Sequence, residues 1–259
     1  MSDRDADGIG GLDKMPLSHY RSLEALEDGY WWHLNRVRLA RTWLREVAGN
    51  RPSVLDLGCG TGGFLAHLAH ELEARAAVGV EASPIGLDAC RRRGLDAIQK
   101  DLATPFDLGR SFDLVTAMDV LEHLPDETSA LESARRNLRA GGHFLASVPA
   151  LPWLFSSWDQ RLGHRRRYTR RGLVEIVEAA GFEVLRCSYA FAYALPPAVV
   201  RRLVGREYTE DTCVFPPLSP WLNALLQRMG AVEARWLRHG ALPLGLSVYV
   251  LARSPGSPR

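Results

Sequence analysis

Lysine is almost missing from this chain: Lys14 and Lys100 are the only lysines among 32 basic residues, and the rest are arginine. Together with abundant Ala, Leu and Gly, that bias points to a high-GC source genome and carries no message about partners. An excess of charge of one sign is also missing. With 30 acidic residues against 32 basic ones, no broad positive field advertises nucleic acid or an anionic membrane, and no nucleic-acid partner is expected. Cysteine is sparse. Cys59, Cys90, Cys187 and Cys213 are far apart and form neither a Cys-x-x-Cys pair nor a His-Cys cluster, so no metal is expected and the thiols read as reduced, as in a cytoplasmic protein. The longest apolar run, Tyr189 to Val200, is interrupted by Pro196-Pro197 and is too short to span a bilayer, so no transmembrane segment is expected. The first residues are acidic and glycine-rich rather than basic and then apolar. Residues 1–16 therefore read as a disordered tail and not as a secretory signal.

What the chain does contain, from Ser53 onward, is an alternation of short apolar runs with longer amphipathic stretches, the pattern of βαβ units on a parallel sheet. Strands are expected at Ser53 to Leu57, Ala76 to Glu81, Asp96 to Lys100, Phe112 to Ala117 and His143 to Val148. Helices fall between them at about Gly62 to Glu71, Pro84 to Arg93 and Glu127 to Arg139, the last ended by Gly141-Gly142. Thr169 then caps a helix through Ala180, Phe182 to Ala190 reads as a sixth strand, and Leu246 to Ala252 as a seventh. Two additions flank this core. A helical region at 17–48 places Val37, Ala40, Leu44 and Val47 on one face and reads as a lid, and an insertion at 192–244 precedes the last strand. The insertion carries a helix from Trp221 to Arg238 with an apolar stripe of Leu222, Leu225, Leu226, Met229, Val232 and Trp236. The binding domain proper is then residues 49–191, and residues 245–259 supply the closing strand and tail.

The segment Val54-Leu-Asp-Leu-Gly-Cys-Gly-Thr-Gly-Gly63 carries the chemistry. Gly58, Gly60 and Gly63 satisfy Gly-x-Gly-x-x-Gly, and Glu81 ends the next strand, so the bare pattern fits a dinucleotide site as well. Glycines let the backbone turn sharply and approach a ligand, and an acid at the second strand's end can bond ribose hydroxyls. Asp56 separates the readings. A carboxylate at the mouth of the first strand repels a pyrophosphate but suits a ligand bearing an ammonium and a sulfonium.

This segment resembles the first motif of class I S-adenosylmethionine-dependent methyltransferases, and the likeness runs from about Tyr30 to Phe182. The resemblance implies an α/β fold with a Rossmann-like seven-stranded sheet in the order 3-2-1-4-5-7-6, the last strand antiparallel. It implies S-adenosylmethionine as cofactor, held by Asp56, Gly58, Cys59, Gly60 and Gly62, with Glu81 and the adjoining Ala82 at the ribose, Asp101-Leu102 flanking the adenine and Met118 lining the donor pocket. Met118-Asp-Val-Leu-Glu-His123 resembles the motif after the fourth strand in small-molecule members, including the ubiquinone-pathway type. Trp31-Trp32 followed by Arg36 and Arg38 resembles the N-terminal lid of that branch, in which an arginine meets the methionine carboxylate; either arginine fits.

The acceptor side is less sharply written. His123 and His164 are candidates for deprotonating or orienting an acceptor, because histidine titrates near neutrality; the plainer reading of His123 is a helix cap or a neighbour of the donor. Gly163-His-Arg-Arg-Arg-Tyr168 offers arginine forks for an acceptor carboxylate or phosphate, or simply an exposed basic face. Trp31, Trp32, Trp158, Arg166 and Tyr168 are the candidate walls of a small-molecule acceptor site, with lid core as the plainer reading of the two N-terminal tryptophans. No Asn-Pro-Pro-Tyr sequence follows the fourth strand, which argues against methylation of nucleobase amines or glutamine amides. The expected function is methyl transfer to an O, N or C nucleophile of a small molecule, of secondary-metabolite or envelope-precursor type. The alternatives are a nicotinamide-dependent oxidoreductase on the same glycine loop and a non-catalytic binding module. Nothing in the sequence fixes the oligomeric state.

Overall fold

The computed structural model describes residues 17–203 and 217–255. The expected tail at 1–16, Cys213 and the middle of the insertion lie outside the described residues. Seven strands form one sheet: β1 (Ser53–Leu57), β2 (Ala76–Glu81), β3 (Asp96–Gln99), β4 (Phe112–Met118), β5 (Leu138–Pro149), β6 (Glu183–Ala190) and β7 (Ser247–Arg253). Their order is β3-β2-β1-β4-β5-β7-β6. The first five pair in parallel, and β7 runs antiparallel to both β5 and β6.

Every residue of β1 and β4 is buried, because helices cover both faces of a parallel sheet. The two-residue period of a strand divides neighbours between two cores. Val54, Leu114 and Leu145 join the core beneath α2 (Trp31–Leu44) and α3 (Gly63–Glu71), whereas Leu55, Val115 and Phe144 join the core beneath α5 (Thr128–Asn137) and α7 (Arg170–Ala179). A short α1 (Leu17–Leu26) and α4 (Pro84–Arg92) complete the donor-side helices. Ser83 caps α4 through the Ile85 N–H, and Thr169 caps α7 through the Gly172 N–H, each satisfying a donor the helix leaves open.

The structure departs from the expected pattern at one helix end and settles two points that the pattern leaves open. The helix expected at 127–139 stops at Asn137, whose side-chain amide donates to the Ser133 and Phe106 carbonyls. Leu138 is already extended and pairs with Phe112, so Gly141-Gly142 sits inside β5 at a register shift and not at a helix end. Second, α2, in the segment expected as a lid, packs as a layer on the sheet, with Trp43, Leu44 and Ala40 fully buried. Third, α9 (Pro220–Trp236) turns most of its expected apolar stripe outward, leaving Leu225, Met229, Val232 and Trp236 exposed. Its inward face is small and polar instead. Gly230 lies so close to Asn35 that a Cβ there would overlap the amide, while Asn223 Oδ1 accepts the Trp31 N–H (2.9 Å) and Glu233 takes the Phe191 and Ala192 N–H groups. Close backbone approach and these hydrogen bonds outweigh side-chain hydrophobicity in orienting the helix.

Candidate active site

The C-terminal ends of β1, β2 and β4 open into one cavity of about 670 Å³, within the usual range for small-molecule sites. Asp56, Gly58, Cys59, Gly60, Glu81, Ala82, Asp101, Leu102 and Met118 all line it, as does Arg36 from α2. The turn after β1 is set by backbone: the Gly58 and Cys59 N–H groups both donate to the Val80 carbonyl (2.8 and 3.0 Å). Gly58 has φ of +68°, and a Cβ there would stand 2.6 Å from a Val120 methyl. Only glycine satisfies both constraints. A Cβ on Gly60, by contrast, would meet open space, so this backbone is free to be approached.

Glu81 organises the loop. One carboxylate oxygen accepts from the Gly60 N–H (2.9 Å), the other from the Ala82 and Ser83 N–H groups (3.0 and 2.9 Å). Burial nonetheless keeps its pKa above the ordinary carboxylate value. Asp56, buried at the end of β1, accepts from Thr116 Oγ1 at 2.6 Å. Burial pushes its carboxyl up to about 7, against the pull of Thr116 and of Arg36. Arg36 donates to the Met118 carbonyl (2.9 Å) and pairs with Asp119 at 3.2 Å. Arg38 points elsewhere, to Asn35 and to the Gln227 carbonyl of α9, so of the two arginines only Arg36 reaches the cavity. Glu27, Asp56, Glu81, Asp101 and Asp119 thus line the cavity together with Arg36, on which Asp119, Asp56 and Glu27 act directly. That excess of carboxylates fits a ligand carrying an ammonium and a sulfonium, and opposes the pyrophosphate of a dinucleotide.

The far half of the cavity comes from three remote pieces of chain: the helical turn Leu121–His123 after β4, the loop after β5 that contains α6 (Ser157–Arg161), and α8 (Leu195–Leu203). His123, Trp158, His164, Arg167 and Arg202 line it, opposite Trp31 and Trp32. Trp32 stacks on Phe191 with ring centroids 4.3 Å apart. Fully buried Asp159 ties the loop together, accepting from His164 Nδ1 (3.1 Å), Arg167 Nε (2.7 Å) and the Ser156 N–H (2.9 Å), with Arg202 at 3.5 Å. Burial alone raises the pKa of such a group, but the His164 hydrogen bond and the Arg167 charge outweigh it, so Asp159 lies well below the ordinary carboxylate value. The rings of His123 and His164 meet nearly at right angles, 4.8 Å between centroids.

Beside them sits Glu122, which composition and spacing did not single out. Its side chain is wholly buried, and neither carboxylate oxygen has a hydrogen-bond partner in any other of the described residues. Burial, reinforced by Asp119, lifts its pKa well above the ordinary value.

Three residues expected at the site stand outside the cavity lining. Gly62, with φ of +83°, begins α3 and packs against Leu95 and Cys90, a folding requirement. Arg166 is spent on Glu127 (2.9 Å) and the Leu124 and Pro125 carbonyls. Tyr168 is core, and its hydroxyl donates to Glu127. The neighbouring Arg167 takes the cavity position, because an extended segment alternates its side chains and Tyr168 must point inward to the core. The signal that could have indicated Glu122 is the register of the turn after β4, which turns it inward beside Leu121.

The methyltransferase-domain family matches residues 31–186. A Mycolicibacterium smegmatis protein named as a probable S-adenosylmethionine-dependent methyltransferase is 33% identical over 66% of this chain and 66% of its own length. A ubiquinone biosynthesis O-methyltransferase of Xanthomonas oryzae is 36% identical over 48% of this chain, and the match spans 54% of that protein. A trans-aconitate 2-methyltransferase of Deinococcus radiodurans is 32% identical over 71% of this chain and 70% of its own length. Among solved structures, a methyltransferase of Haloferax volcanii in complex with the Trm112 activator aligns with a TM-score of 0.60 at 20% identity, covering 91% of this chain and 97% of that one. The cyclase SpnF aligns at 0.58 and 20%, covering 94% and 98%; both likenesses concern the fold. A domain match over more than half of the chain, placed on the strand order and the glycine-loop cavity described above, establishes that this chain belongs to the S-adenosylmethionine-dependent methyltransferase family, whose cofactor is S-adenosylmethionine.

Proposed function

We propose that this protein transfers a methyl group from S-adenosylmethionine to an O, N or C nucleophile of a small molecule. One observation carries the reading: the acidic donor half and the histidine-bearing half open into a single cavity. When bound, the cofactor supplies a sulfonium methyl already activated for displacement. The protein's task is then mainly alignment and exclusion of water, which can lower a barrier by roughly 7 to 11 kcal/mol without any obligatory catalytic residue.

In this reading Asp56 holds the ammonium, Arg36 the carboxylate, Glu81 the ribose hydroxyls, and Asp101 with Leu102 flanks the base. Trp31, Trp32 and Trp158 shield the nucleophile from water, while His123 and His164 hold or accept the proton of a hydroxyl or amine acceptor. A trans-aconitate methyltransferase among the relatives supports a small-molecule acceptor. The cyclase among the structural neighbours makes a direct test of methyl gain necessary, since one fold serves unrelated chemistries.

The test is calorimetric titration with S-adenosylmethionine, its demethylated product and NAD, followed by a metabolite screen for donor-dependent gain of one methyl. The expected result is micromolar binding of donor and product, none of NAD, and a methylated product. NAD binding without donor binding would sink the reading. His123→Ala is expected to leave donor affinity within about threefold while slowing turnover on the order of 10²-fold; unchanged turnover would remove His123 from the chemistry.

A further inference from the structure

Beside His123 and His164, Glu122 poses a problem that the surrounding hydrogen bonds do not solve. The candidate ligand atoms of the three all lie within 4.8 Å of one another on the acceptor side of the cavity. Asp159 engages Nδ1 of His164, which leaves Nε2 facing Glu122 Oε1 at 3.9 Å, too far for a hydrogen bond. Both Glu122 oxygens are sealed from solvent and make no hydrogen bond with any other of the described residues. The two buried guanidiniums whose charge reaches Glu122 are spent elsewhere, Arg36 on the Met118 carbonyl and Asp119, and Arg167 on Asp159 and the Ala150 carbonyl. A buried carboxylate with no partner is costly, and such groups ordinarily recruit a proton or a cation.

We propose that Glu122, His123 and His164 form a divalent-cation site, of the two-histidine, one-carboxylate kind, facing the methyl acceptor. That donor set suits zinc and neighbouring first-row metals and leaves coordination positions open. Bonds of about 2.1 Å place tetrahedral ligand atoms roughly 3.4 Å apart, so closing the present spacing takes side-chain movement on the order of an ångström. Asp159 behind His164 is the carboxylate that orients ligating imidazoles in metal sites, and Arg167 and Ser156 fix that carboxylate in turn. The cation would select acceptors with a hydroxyl oxygen. With a cation held there His123 and His164 would serve as its ligands instead of taking the proton themselves: a bound hydroxyl would lose its proton to solvent before the donor closes the site, and its oxygen would then form the O–C bond as the S–C bond breaks, that bond's electron pair passing to sulfur. The cation site itself stands on its own geometry; its role toward an acceptor rests on the methyl-transfer reading.

The tag-free full chain, stripped with chelator, is titrated with Co²⁺ and read by visible absorption and elemental analysis, with binding of S-adenosylhomocysteine measured in parallel. One equivalent of Co²⁺, displaced by Zn²⁺, is expected. Glu122→Gln and His164→Ala should weaken it at least 100-fold, and Asp159→Asn 10- to 100-fold, with S-adenosylhomocysteine affinity held within about threefold. Should Glu122→Gln fail to bind the nucleoside and so prove misfolded, His123→Ala decides, with at least a tenfold loss expected. Absence of Co²⁺ uptake at millimolar concentration by protein that binds S-adenosylhomocysteine normally would overturn the site and favour a Glu122 that holds its own proton. Uptake that survives Glu122→Gln and His164→Ala would overturn it equally. Failure to bind S-adenosylhomocysteine would instead count against the methyl-transfer reading and leave the cation result to be judged separately.

Discussion

The two halves of the cavity are built by different means. The donor half is mostly backbone: consecutive strand ends deliver Asp56, the Gly58 turn and Glu81 within one βαβ unit, and the N–H groups of Gly60, Ala82 and Ser83 converge on a single carboxylate. The acceptor half is side chains gathered over distance, with Asp159 collecting His164, Arg167 and, from α8, Arg202. A ligand common to a whole family can be met by a local and repeated piece of backbone. A ligand particular to one protein is met by groups that only the finished fold brings together.

The comparison breaks most forcefully at Asp159. Removing its carboxylate in Asp159→Ala takes the counter-charge from the buried Arg167 guanidinium and the largely buried Arg202, a change that typically costs about 3 to 5 kcal/mol. The expected outcome is a large drop in urea midpoint and loss of turnover, with donor affinity in the folded fraction held within about threefold. Equal loss of donor affinity would show that the halves are one unit. Because its pKa is depressed, Asp159 adds stability above pH 3.8 that disappears as pH falls toward its folded value. The wild type should therefore lose more stability than Asp159→Asn on acidification below about pH 4.

A smaller and opposite effect is expected at Gly58. Gly58→Ala forces a left-handed φ on an L-residue and drives a methyl to 2.6 Å from Val120, a cost of about 2 to 3 kcal/mol. If the loop relieves this by shifting, donor affinity falls on the order of 100-fold and His123 and His164 remain in place. An unchanged donor affinity by calorimetry would mean that the turn is a folding element only.

This division also explains what could be read from the amino-acid sequence. The strands themselves follow from periodicity, whereas their order and the residues assigned to the donor come from the resemblance that the glycine turn and the acids after it carry; nearly all of those residues line the cavity, and each signal is local. Arg36 and Arg38 were indistinguishable because they sit two apart on a helix, and only the packing of α9 decides which one faces the cavity. Arg166 and Tyr168 looked as suitable as Arg167, since no short pattern reveals that Glu127, some forty residues away, claims both. The face that α9 buries is hidden in the sequence for the same reason. Its stripe of large apolar residues is a local property, whereas the fit of Gly230 against Asn35 joins segments far apart in the chain.

Asp56 offers the smallest expected effect and the finest distinction between a group that serves the fold and one that serves the ligand. Its folded pKa is raised to about 7 from 3.8, so the folded protein prefers the neutral acid. The stability this contributes is present at low pH and lost as pH rises through about 7, on the order of 1 kcal/mol between pH 6 and 8, or two to four degrees in Tm. A cationic ligand reverses the preference, because only the carboxylate attracts an ammonium. Affinity for S-adenosylmethionine should therefore rise up to about tenfold over the same interval, while the ligand-free Tm falls. Asp56→Asn isolates this residue from the histidines that titrate nearby, and in it both trends should flatten. Parallel rather than opposed trends would mean that Asp56 is a buried structural acid and that the charge of the donor is met elsewhere in the cavity.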